Sequence, residues 1–367
     1  MRILFCGGGT GGHVSPAIAI AECAKNKFGI SDFAFVGRRD GKENAAISKK
    51  GYKLYEIEIS GFIRKFSLEN FKRLIKVAAA MKEAKRIIKD FKPDAVVGTG
   101  GYVSWPVIRC AQKMKIPTYL HESNAYPGLV TRLLSPKCKK VFLNVKATAA
   151  HLKRGDNIAV VGNPVEERFY KTERKYARAL LGIRNNEFLI TSYAGSGGAE
   201  KINGVIFEFI KEYSSKMPKI KHIHATGKKY FEENKDIYSQ FKNGKNGIYI
   251  KPYIDDLHIA LNAADLVIAR CGAMTLTELA ASKSTAILIP SPNVTNNHQY
   301  ENAKLLSDKN AAKVIEEKNL TCESLIRAVD ALYKNPSKRE ILSTNIGGEF
   351  KKCAEVEILR EITKSAT

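Results

Sequence analysis

The chain has 367 residues, of which 44% are hydrophobic and 26% are charged, a globular composition that is long enough for two domains. No apolar run reaches about 18 residues, which argues against a transmembrane helix, and the sequence enters a strand pattern at Ile3 without a signal-peptide pattern. Seven scattered cysteines without a Cys-x-x-Cys pair fit reduced thiols in the cytoplasm.

The net charge of +23 is unevenly distributed along the chain. Residues 1–162 contain 29 Lys and Arg against 12 Asp and Glu, whereas the remainder contains 31 against 25. A basic N-terminal half suits nucleic acid, an anionic membrane surface or an acidic substrate. Because the sequence contains no recognisable nucleic-acid-binding module, we expect no nucleic acid partner.

Apolar runs alternate with helical patterns along the whole chain, which predicts an α/β protein built on parallel sheets. This alternation of strand and helix patterns is interrupted near Gly162-Asn163-Pro164 and then resumes. We therefore expect two doubly wound, Rossmann-like domains facing a cleft, at 1–162 and 163–345. The predicted strands are Ile3–Cys6, Phe33–Gly37, Ala95–Gly98, Pro117–Leu120, Val141–Asn144, Ile158–Val161, Phe188–Tyr193, Lys221–Ala225, Ile248–Lys251, Leu266–Ala269 and Ala286–Ile289.

The first strand runs directly into the glycine-rich stretch 7–12, which His13 ends. A helix is predicted to follow, with Ser15 as its N-cap and Pro16 at its first position. Glycines let backbone N–H groups approach a ligand closely, and such groups at a helix N-terminus favour an anionic ligand. No Lys follows the glycines, which excludes a P-loop, and the basic Arg38-Arg39 after the second strand argues against a nicotinamide-dependent oxidoreductase.

Two further glycine loops follow predicted strands, at 98–104 and 194–199, and together the three loops favour two phosphorylated ligands, one in each domain. In the second half, residues 270–278 follow a strand and open a helix. Backbone N–H groups from Gly272 to Thr275 suit a diphosphate there, and Glu278 suits the two hydroxyls of a ribose. The polar stretch 297–302 suits sugar hydroxyls.

Residues 62–92 combine apolar residues at helical spacing with many lysines and arginines. One interpretation is a crossover helix that packs its apolar stripe on the sheet, and the other is a helix on an anionic bilayer. We expect that packing on the sheet explains the apolar stripe. We expect that peripheral membrane binding, centred on residues 64–89, explains the excess of lysine and arginine. The candidate residues are Lys72, Arg73 and Lys76 for charge, and Leu74, Ile75 and Trp105 for insertion.

Taken in order, the motifs resemble those of the MurG family, the bacterial N-acetylglucosaminyltransferases of peptidoglycan synthesis. The ordered set runs from residue 3 to about residue 305. Its members are Gly8-Gly9-Thr10-Gly11-Gly12-His13, Gly98-Thr99-Gly100-Gly101-Tyr102-Val103-Ser104, His121-Glu122-Ser123-Asn124, Gly162-Asn163-Pro164-Val165, Gly195-Ser196-x-Gly198-Ala199, Ile254-Asp255-Asp256, Arg270-Cys271-Gly272-Ala273 with Glu278, and Gln299-Tyr300.

This resemblance implies a GT-B fold with a C-terminal helix, at about 346–367, that crosses back to the N-terminal domain. It implies inverting transfer of GlcNAc from UDP-GlcNAc to the muramoyl 4-hydroxyl of undecaprenyl-diphospho-MurNAc-pentapeptide. The N-terminal domain would face the acceptor and the membrane, and the C-terminal domain would bind UDP-GlcNAc. The enzyme would be peripheral, on the cytoplasmic face of the inner membrane, and would need no cofactor.

The resemblance also implies site residues. Donor contacts would fall on Thr10, Gly11, Gly12, Asn124, Ser196, Ile254, Ala273, Met274, Thr275, Leu276, Thr277, Glu278 and Gln299, with Ile254 meeting uracil through its backbone and Glu278 binding the ribose. The acceptor diphosphate would lie at Gly8, Gly9, Gly100, Gly101 and Tyr102. Roles stay open for Arg270 and Asn302, and at the departures from the family pattern. Glu166 stands where Arg is usual, with Arg168 nearby as a candidate replacement, and His298 replaces one of two adjacent glutamines. In the third glycine loop, Gly197 and Glu200 stand where Gln and Arg are usual.

His13 is the candidate general base, because histidine titrates near neutral pH, although it could instead only orient the loop or the substrate. No Asp-x-Asp triplet occurs, so we expect a metal-independent reaction in which the helix N-terminus at 272–275, with Arg270, stabilises the departing UDP. Two related activities stay open: another GT-B lipid glycosyltransferase, such as one acting on diacylglycerol, and a UDP-GlcNAc 2-epimerase.

Overall fold

The computed structural model describes residues 1–41, 44–59, 68–195, 197–294 and 297–364, and the side chains of residues 68–75, 242, 243 and 245 lie outside that description. The chain forms two compact units. Unit 1 contains Met1–Glu166 together with Lys351–Thr367, and unit 2 contains Glu167–Phe350.

Strands and helices alternate in both units. The strands are Ile3–Cys6 (β1), Phe33–Arg38 (β2), Lys53–Ile57 (β3), Ala95–Gly98 (β4), Thr118–Glu122 (β5), Lys140–Leu143 (β6), Ile158–Val160 (β7), Phe188–Tyr193 (β8), Ile220–Ala225 (β9), Ile248–Lys251 (β10), Leu266–Ala269 (β11), Ala286–Leu288 (β12) and Lys313–Val314 (β13). The α-helices are Gly11–Phe28 (α1), Asn44–Lys49 (α2), Leu68–Phe91 (α3), Ser104–Lys113 (α4), Leu129–Leu134 (α5), Arg168–Lys171 (α6), Arg174–Leu180 (α7), Glu200–Glu212 (α8), Lys228–Glu233 (α9), Lys235–Tyr238 (α10), Leu257–Ala263 (α11), Ala273–Ala281 (α12), His298–Asp308 (α13), Cys322–Tyr333 (α14), Pro336–Gly348 (α15) and Ala354–Thr363 (α16). Short 3-10 helices lie at Ser135–Lys137, Lys146–His151, Ser214–Lys216, Ser239–Gly247 and Glu317–Asn319.

Unit 1 is built on a parallel sheet in the order β3-β2-β1-β4-β5-β6-β7. All four residues of β1 are buried because helices cover both faces of the sheet. Successive side chains alternate between those faces, so Ile3 and Phe5 enter the core beneath α1, whereas Leu4 and Cys6 enter the core beneath α3 and α4.

Unit 2 repeats this plan with a parallel sheet in the order β10-β9-β8-β11-β12-β13. Ile190 and Ile268 contribute to the core beneath α8 and α14, and Leu189 and Ile223 contribute to the core beneath α7 and α11. The predicted α/β class with doubly wound parallel sheets is therefore confirmed in both units.

Each sheet order reverses direction at one place, and open α/β sheets bind ligands at the carboxyl ends of the strands beside such a reversal. In unit 1 the reversal lies between β1 and β4, and in unit 2 it lies between β8 and β11. The first two glycine loops follow β1 and β4, and the third glycine loop and the stretch 270–272 follow β8 and β11. The fold thus brings the first two glycine loops together in unit 1, and the third glycine loop together with the stretch 270–272 in unit 2.

Helix α1 begins earlier than the sequence pattern predicts. Thr10 is its N-cap residue and the helix starts at Gly11, so the assignments of Ser15 to the N-cap and of Pro16 to the first position are wrong. Pro16 lies inside the helix, where it has no N–H to donate to the Gly12 carbonyl, and the Ser15 hydroxyl donates to the Gly11 carbonyl at 3.1 Å. The glycine loop therefore continues directly into the first helical turn.

Helix α16 packs on α1 in unit 1, although unit 2 separates the two helices in the sequence. Ala354, Ile358, Leu359 and Ile362 are buried in the same core as β1 and α1. Burial of each larger aliphatic side chain contributes about 1.5–3 kcal/mol relative to exposure. The C-terminal helix is therefore an integral part of the unit 1 core.

The described side chains of α3 form an amphipathic crossover helix. Ala84, Ile87 and Ile88 are buried in the core, whereas Lys85 and Lys89 are exposed. The interpretation of the apolar stripe as sheet packing is thus confirmed for residues 80–91, whereas Ala78, which also has the helical spacing of the stripe, is exposed. The side chains of Lys72, Arg73, Leu74 and Ile75 lie outside the described residues. Within the described part of the chain, no helix combines the length and the hydropathy needed to cross a bilayer.

Candidate active site

The first two glycine loops interlock at the carboxyl ends of β1 and β4. A Cβ atom on Gly101, whose φ is +77°, would lie 1.9 Å from the Gly8 carbonyl oxygen, so a side chain at this position is sterically excluded. Thr99 connects the two loops, because its backbone N–H donates to the Cys6 carbonyl at 3.0 Å and its hydroxyl donates to the His13 carbonyl at 2.6 Å. The two loops form one rigid surface of backbone groups.

His13 lies in the first turn of α1 and is half-buried against this surface. Its Nδ1 lies 3.1 Å from the Gly8 carbonyl oxygen and 3.3 Å from the Thr10 hydroxyl. Since a carbonyl only accepts, Nδ1 carries the proton of the neutral ring and Nε2 carries the lone pair. A Cβ atom on Gly100, whose φ is +107°, would lie 2.7 Å from His13 Cδ2 and 3.2 Å from Nε2, so a side chain at residue 100 would crowd the ring.

His121 has a structural role at the end of β5. The residue is fully buried, and its Nε2 donates to the Gly162 carbonyl at 3.0 Å. Burial lowers the pKa of His121 to about 4, so the ring is neutral and the hydrogen bond ties β5 to the chain beyond β7. The adjacent Glu122 is also buried and bonds to the loop that carries Asn124.

Glu166 and Arg168, at the departure from the family pattern, have different partners in different units. Glu166 is the last residue of the N-terminal segment of unit 1, and its carboxylate pairs with Lys50 at 2.6 Å. Arg168 belongs to unit 2 and lies 4.0 Å from Asp256, two residues beyond Ile254. The arginine is therefore located beside the segment predicted to meet uracil, whereas the Glu166 carboxylate pairs with a lysine of unit 1.

In unit 2 the third glycine loop packs against the loop after β9. A Cβ atom on Gly198, whose φ is +70°, would lie 2.1 Å from the Thr226 carbonyl oxygen. The buried side chain of Asn203 donates to the same carbonyl at 2.8 Å, which joins the start of α8 to this loop. Ser196, predicted as a donor contact, lies outside the described residues.

The backbone before α12 is held by two amide side chains from α13. Gln299 Oε1 accepts from the N–H groups of Cys271 at 3.3 Å and of Ser291 at 3.0 Å, and Asn302 Nδ2 donates to the Cys271 carbonyl at 3.3 Å. Gly272 is the N-cap residue that follows. Gln299 and Asn302 thus position the N-terminus of α12, a role that the sequence pattern did not predict.

Arg270 forms an ion pair and a hydrogen bond in the interior of unit 2. Its guanidinium forms an ion pair with Glu317 and donates to the Ile289 carbonyl at 3.3 Å, and the paired groups are only 12% and 13% exposed. These contacts do not support the predicted role of Arg270 in stabilising UDP directly. Arg270 instead anchors β11 to the 3-10 helix Glu317–Asn319.

Glu278 lies in the second turn of α12 and is half-buried. Burial raises the pKa of Tyr193, at the end of β8, and the charge of Glu278 raises it further. The Tyr193 hydroxyl is buried and has no hydrogen-bond partner among the described residues. Sequence reasoning missed Tyr193, whose only signal was its position directly before a glycine loop.

The remaining predicted residues lie on these same surfaces. Tyr102 packs its ring against Gly9 in unit 1, and Ile254 is half-buried against the core beneath α11 in unit 2. Met274 is buried, so it presents its backbone rather than its side chain at the α12 N-terminus. Within the described part of the chain, no group of three or more His, Cys, Asp and Glu residues is arranged to hold a metal ion.

Two sequence families match the two units. The glycosyltransferase family 28 N-terminal domain matches residues 3–143, and the family 28 C-terminal domain matches residues 189–357. The chain belongs to glycosyltransferase family 28. The family 28 match covers both pairs of loops at the sheet reversals.

Full-length relatives within family 28 carry one name. A protein of Desulforamulus reducens is 38% identical over 99% of this chain and 97% of its own length. A protein of Thermoanaerobacter sp. is 38% identical over the whole of both chains. Each is named UDP-N-acetylglucosamine–N-acetylmuramyl-(pentapeptide) pyrophosphoryl-undecaprenol N-acetylglucosamine transferase. The predicted resemblance to the MurG family is therefore confirmed.

Solved structures agree with this fold. The crystal structure of Acinetobacter baumannii MurG is 27% identical, covers 99% of this chain and 100% of its own, and has a TM-score of 0.70. A UDP-GlcNAc 2-epimerase from Neisseria meningitidis has a TM-score of 0.66 at 16% identity, over 99% of this chain and 100% of its own. The epimerase shares the fold alone, whereas the relatives at 38% identity share the sequence along the whole chain.

Proposed function

We propose that the chain transfers N-acetylglucosamine from UDP-GlcNAc to the 4-hydroxyl of undecaprenyl-diphospho-MurNAc-pentapeptide, with inversion at the sugar carbon. The observation that carries this proposal is 38% identity along the whole chain to proteins named for this reaction. Family 28 membership and the paired loops at both sheet reversals support it further. The reaction is a step of peptidoglycan synthesis.

Unit 2 is proposed to bind the donor at the N-terminus of α12. Backbone N–H groups in the first turn of a helix, together with the helix dipole, stabilise a diphosphate. Gln299 and Asn302 hold this turn in place through Cys271, so the backbone N–H groups are already oriented towards the diphosphate before UDP departs. Glu278 would accept hydrogen bonds from the ribose, and the backbone of Ile254 would meet uracil.

This arrangement accounts for UDP departure without a metal ion. The sequence contains no Asp-x-Asp triplet of the kind that holds a cation against a nucleotide diphosphate. The leaving diphosphate instead meets fixed amide dipoles at the α12 N-terminus, and Arg168, on helix α6 in contact with α12, is a candidate cation. We therefore propose a metal-independent transfer.

Unit 1 is proposed to bind the acceptor and to activate it. The amide surface at Gly8, Gly9, Gly100 and Gly101 suits the acceptor diphosphate. His13 would take the proton of the attacking 4-hydroxyl on Nε2, since Nδ1–H is committed to the Gly8 carbonyl. The hydroxyl oxygen then bonds to C1 of GlcNAc, and UDP leaves with the electron pair of the broken bond.

A transfer assay tests this function directly. The purified protein is incubated with labelled UDP-GlcNAc and lipid-linked MurNAc-pentapeptide, and we expect the label in a disaccharide lipid. Diacylglycerol offered in its place should remain unlabelled. Release of UDP without any lipid acceptor, together with a free sugar product, would identify an epimerase-type activity and contradict the proposal.

We further propose that unit 1 binds the cytoplasmic face of an anionic membrane through one side of its sheet. Helices α3, α4 and α5 pack on the same sheet face. Lys85 and Lys89 of α3 are exposed, and Leu129 and Leu133 of α5 are each 59% exposed. Cations beside exposed apolar side chains suit a bilayer of anionic lipids. Trp105 of α4 packs against the core, so its contribution to insertion is smaller.

Vesicle co-sedimentation tests this surface. Charge reversal at Lys72, Arg73 and Lys76 should lower binding to phosphatidylserine vesicles by ~100-fold or more, because each lost cation weakens attraction by about 1 kcal/mol. UDP-GlcNAc affinity should not change. Reversal of three exposed unit 2 lysines, Lys216, Lys219 and Lys229, is the matched control. Equal losses in both variants would show that overall charge, rather than this surface, directs binding.

A further inference from the structure

Glu122 is a buried carboxylate that accepts four hydrogen bonds at the end of β5. It is only 5% exposed. Its Oε1 accepts from the backbone N–H and from Nδ2 of Asn124, both at 3.1 Å. Its Oε2 accepts from the Gly128 N–H at 3.0 Å and from the Thr131 hydroxyl at 2.7 Å. One side chain therefore holds the strand end, the following loop and the start of α5 together.

This geometry determines which way the Asn124 amide points. A carboxylate offers acceptors only, so the NH2 group of Asn124 must face Glu122 and Oδ1 must face the other way. The loop backbone is also held, since the Thr148 hydroxyl donates to the Asn124 carbonyl at 3.1 Å and Asn144 Nδ2 donates to the Ser123 carbonyl at 3.0 Å. Asn124 itself is half-buried, so its outward side remains accessible.

The same contacts argue against direct chemistry by Glu122. Both carboxylate oxygens already accept two donors, and the group is almost completely shielded from solvent. Proton abstraction would require a substrate hydroxyl within reach of these oxygens. Glu122 can therefore influence the reaction only through the residues that it holds.

We propose that Glu122 is a positioning residue for sugar transfer, which fixes Asn124 so that Oδ1 is presented as a hydrogen-bond acceptor to an O–H or N–H group of a bound sugar. This inference rests on the proposed transferase function. The sugar is either the GlcNAc of the donor or the MurNAc of the acceptor, which both carry hydroxyl and acetamido groups. A fixed acceptor discriminates against a sugar that lacks the matching donor group.

A double-mutant cycle tests the route through Asn124. Glu122→Ala and Asn124→Ala should each lower kcat/KM by about 10-fold, the effect of one lost hydrogen bond to substrate. In the Asn124→Ala background, Glu122→Ala should cause less than about a twofold further loss, since the residue it positions is already absent. A raised KM for UDP-GlcNAc would identify the donor sugar as the partner, and a raised KM for the lipid would identify the acceptor. Equal losses from Glu122→Ala in both backgrounds would overturn the proposal.

A second pair of variants keeps the test decisive if Glu122→Ala does not fold. Asn124→Asp places a second carboxylate against Glu122, and the repulsion should lower kcat/KM strongly. Adding Glu122→Gln removes that repulsion, so E122Q/N124D should recover at least about fivefold over N124D alone. Absence of recovery would contradict the proposed coupling.

Thr131→Val is the matched control, because it removes a partner of Oε2 and leaves the contacts of Oε1 with Asn124. It should keep kcat/KM within about twofold. A loss as large as that of Glu122→Ala would show that the carboxylate acts through α5 rather than through Asn124, and would overturn the proposal. The wild-type protein in the same assay reports separately on the transferase function itself.

Discussion

Acidification should destabilise unit 2 through a buried chain of histidines and serines on β8 and β9. Ser192 Oγ lies 2.7 Å from His222 Nε2 and 2.8 Å from His224 Nδ1, and His222 Nδ1 lies 3.2 Å from Ser214 Oγ. His224 Nδ1 also lies 3.3 Å from the Ser192 carbonyl oxygen, which can only accept, so this nitrogen carries a proton and faces Ser192. The Ser192 hydroxyl therefore donates to His222 Nε2, and His222 Nδ1–H donates to Ser214. Protonation of His222 at Nε2 would break the bond from Ser192, and protonation of His224 would place a buried charge on Nε2, which has no hydrogen-bond partner among the described residues.

Burial lowers the pKa of His224 to about 4, against 6.5 for an ordinary histidine. The unfolded state therefore binds more protons below pH 6.5, so the stabilising contribution is complete above that pH and is lost as the pH falls towards 4. Linkage between these two pKa values gives a loss of about 2 kcal/mol at pH 5 and about 3 kcal/mol below pH 4. Burial also lowers the pKa of His222, which adds a loss in the same direction.

The test compares wild type with His224→Gln in urea unfolding at pH 7.5 and pH 5. Hydrogen exchange of the β8 and β9 amides locates the effect in unit 2. The wild type should lose about 2 kcal/mol more unfolding free energy between these pH values than the variant loses. His151→Gln, which removes an exposed histidine, should behave as the wild type does. An identical pH dependence in wild type and His224→Gln would refute the burial argument.

Three further outcomes are expected for the reaction itself. Glu278→Ala should weaken UDP-GlcNAc binding by ~10–100-fold in calorimetry, since hydrogen bonds to a charged group are lost, and unchanged affinity would exclude Glu278 as the ribose ligand. His13→Ala should lower kcat by ~10²–10⁴-fold with donor affinity retained, whereas a small loss of kcat with a raised acceptor KM would assign it to positioning. Activity should survive EDTA, and complete loss with recovery on adding Mg²⁺ would contradict the metal-independent mechanism.

The parts of the site that depend on local backbone chemistry were predictable from the sequence. Glycine-rich loops after buried strands, and a helix start at Gly272, are local patterns that need no tertiary information. Two edge strands were not predicted, because only Ile57 is buried in Lys53–Ile57 and Lys313–Val314 has only two residues. Neither strand has the continuous apolar run that marks a buried parallel strand.

The contacts that position the site could not be inferred from local pattern. Gln299 reaches Cys271 across 28 residues, and Arg270 pairs with Glu317 rather than with a ligand. Both pairings depend on how α13 and the segment after β13 fold back beside β11, which no single stretch of sequence encodes. Tyr193 likewise looks like an ordinary strand residue until the fold brings Glu278 beside it.

The position of α16 in unit 1 has a consequence for biosynthesis. A ribosome completes the whole of unit 2, Glu167–Phe350, before it makes Ala354–Thr363, the helix that fills the unit 1 core over α1. Domains generally fold as units while synthesis proceeds, but unit 1 lacks one helix of its core until Ala354–Thr363 has been made. Unit 1, although translated first, keeps an open apolar groove until the last helix emerges. A nascent or truncated chain would expose that groove to chaperones, and the half that carries His13 would mature last.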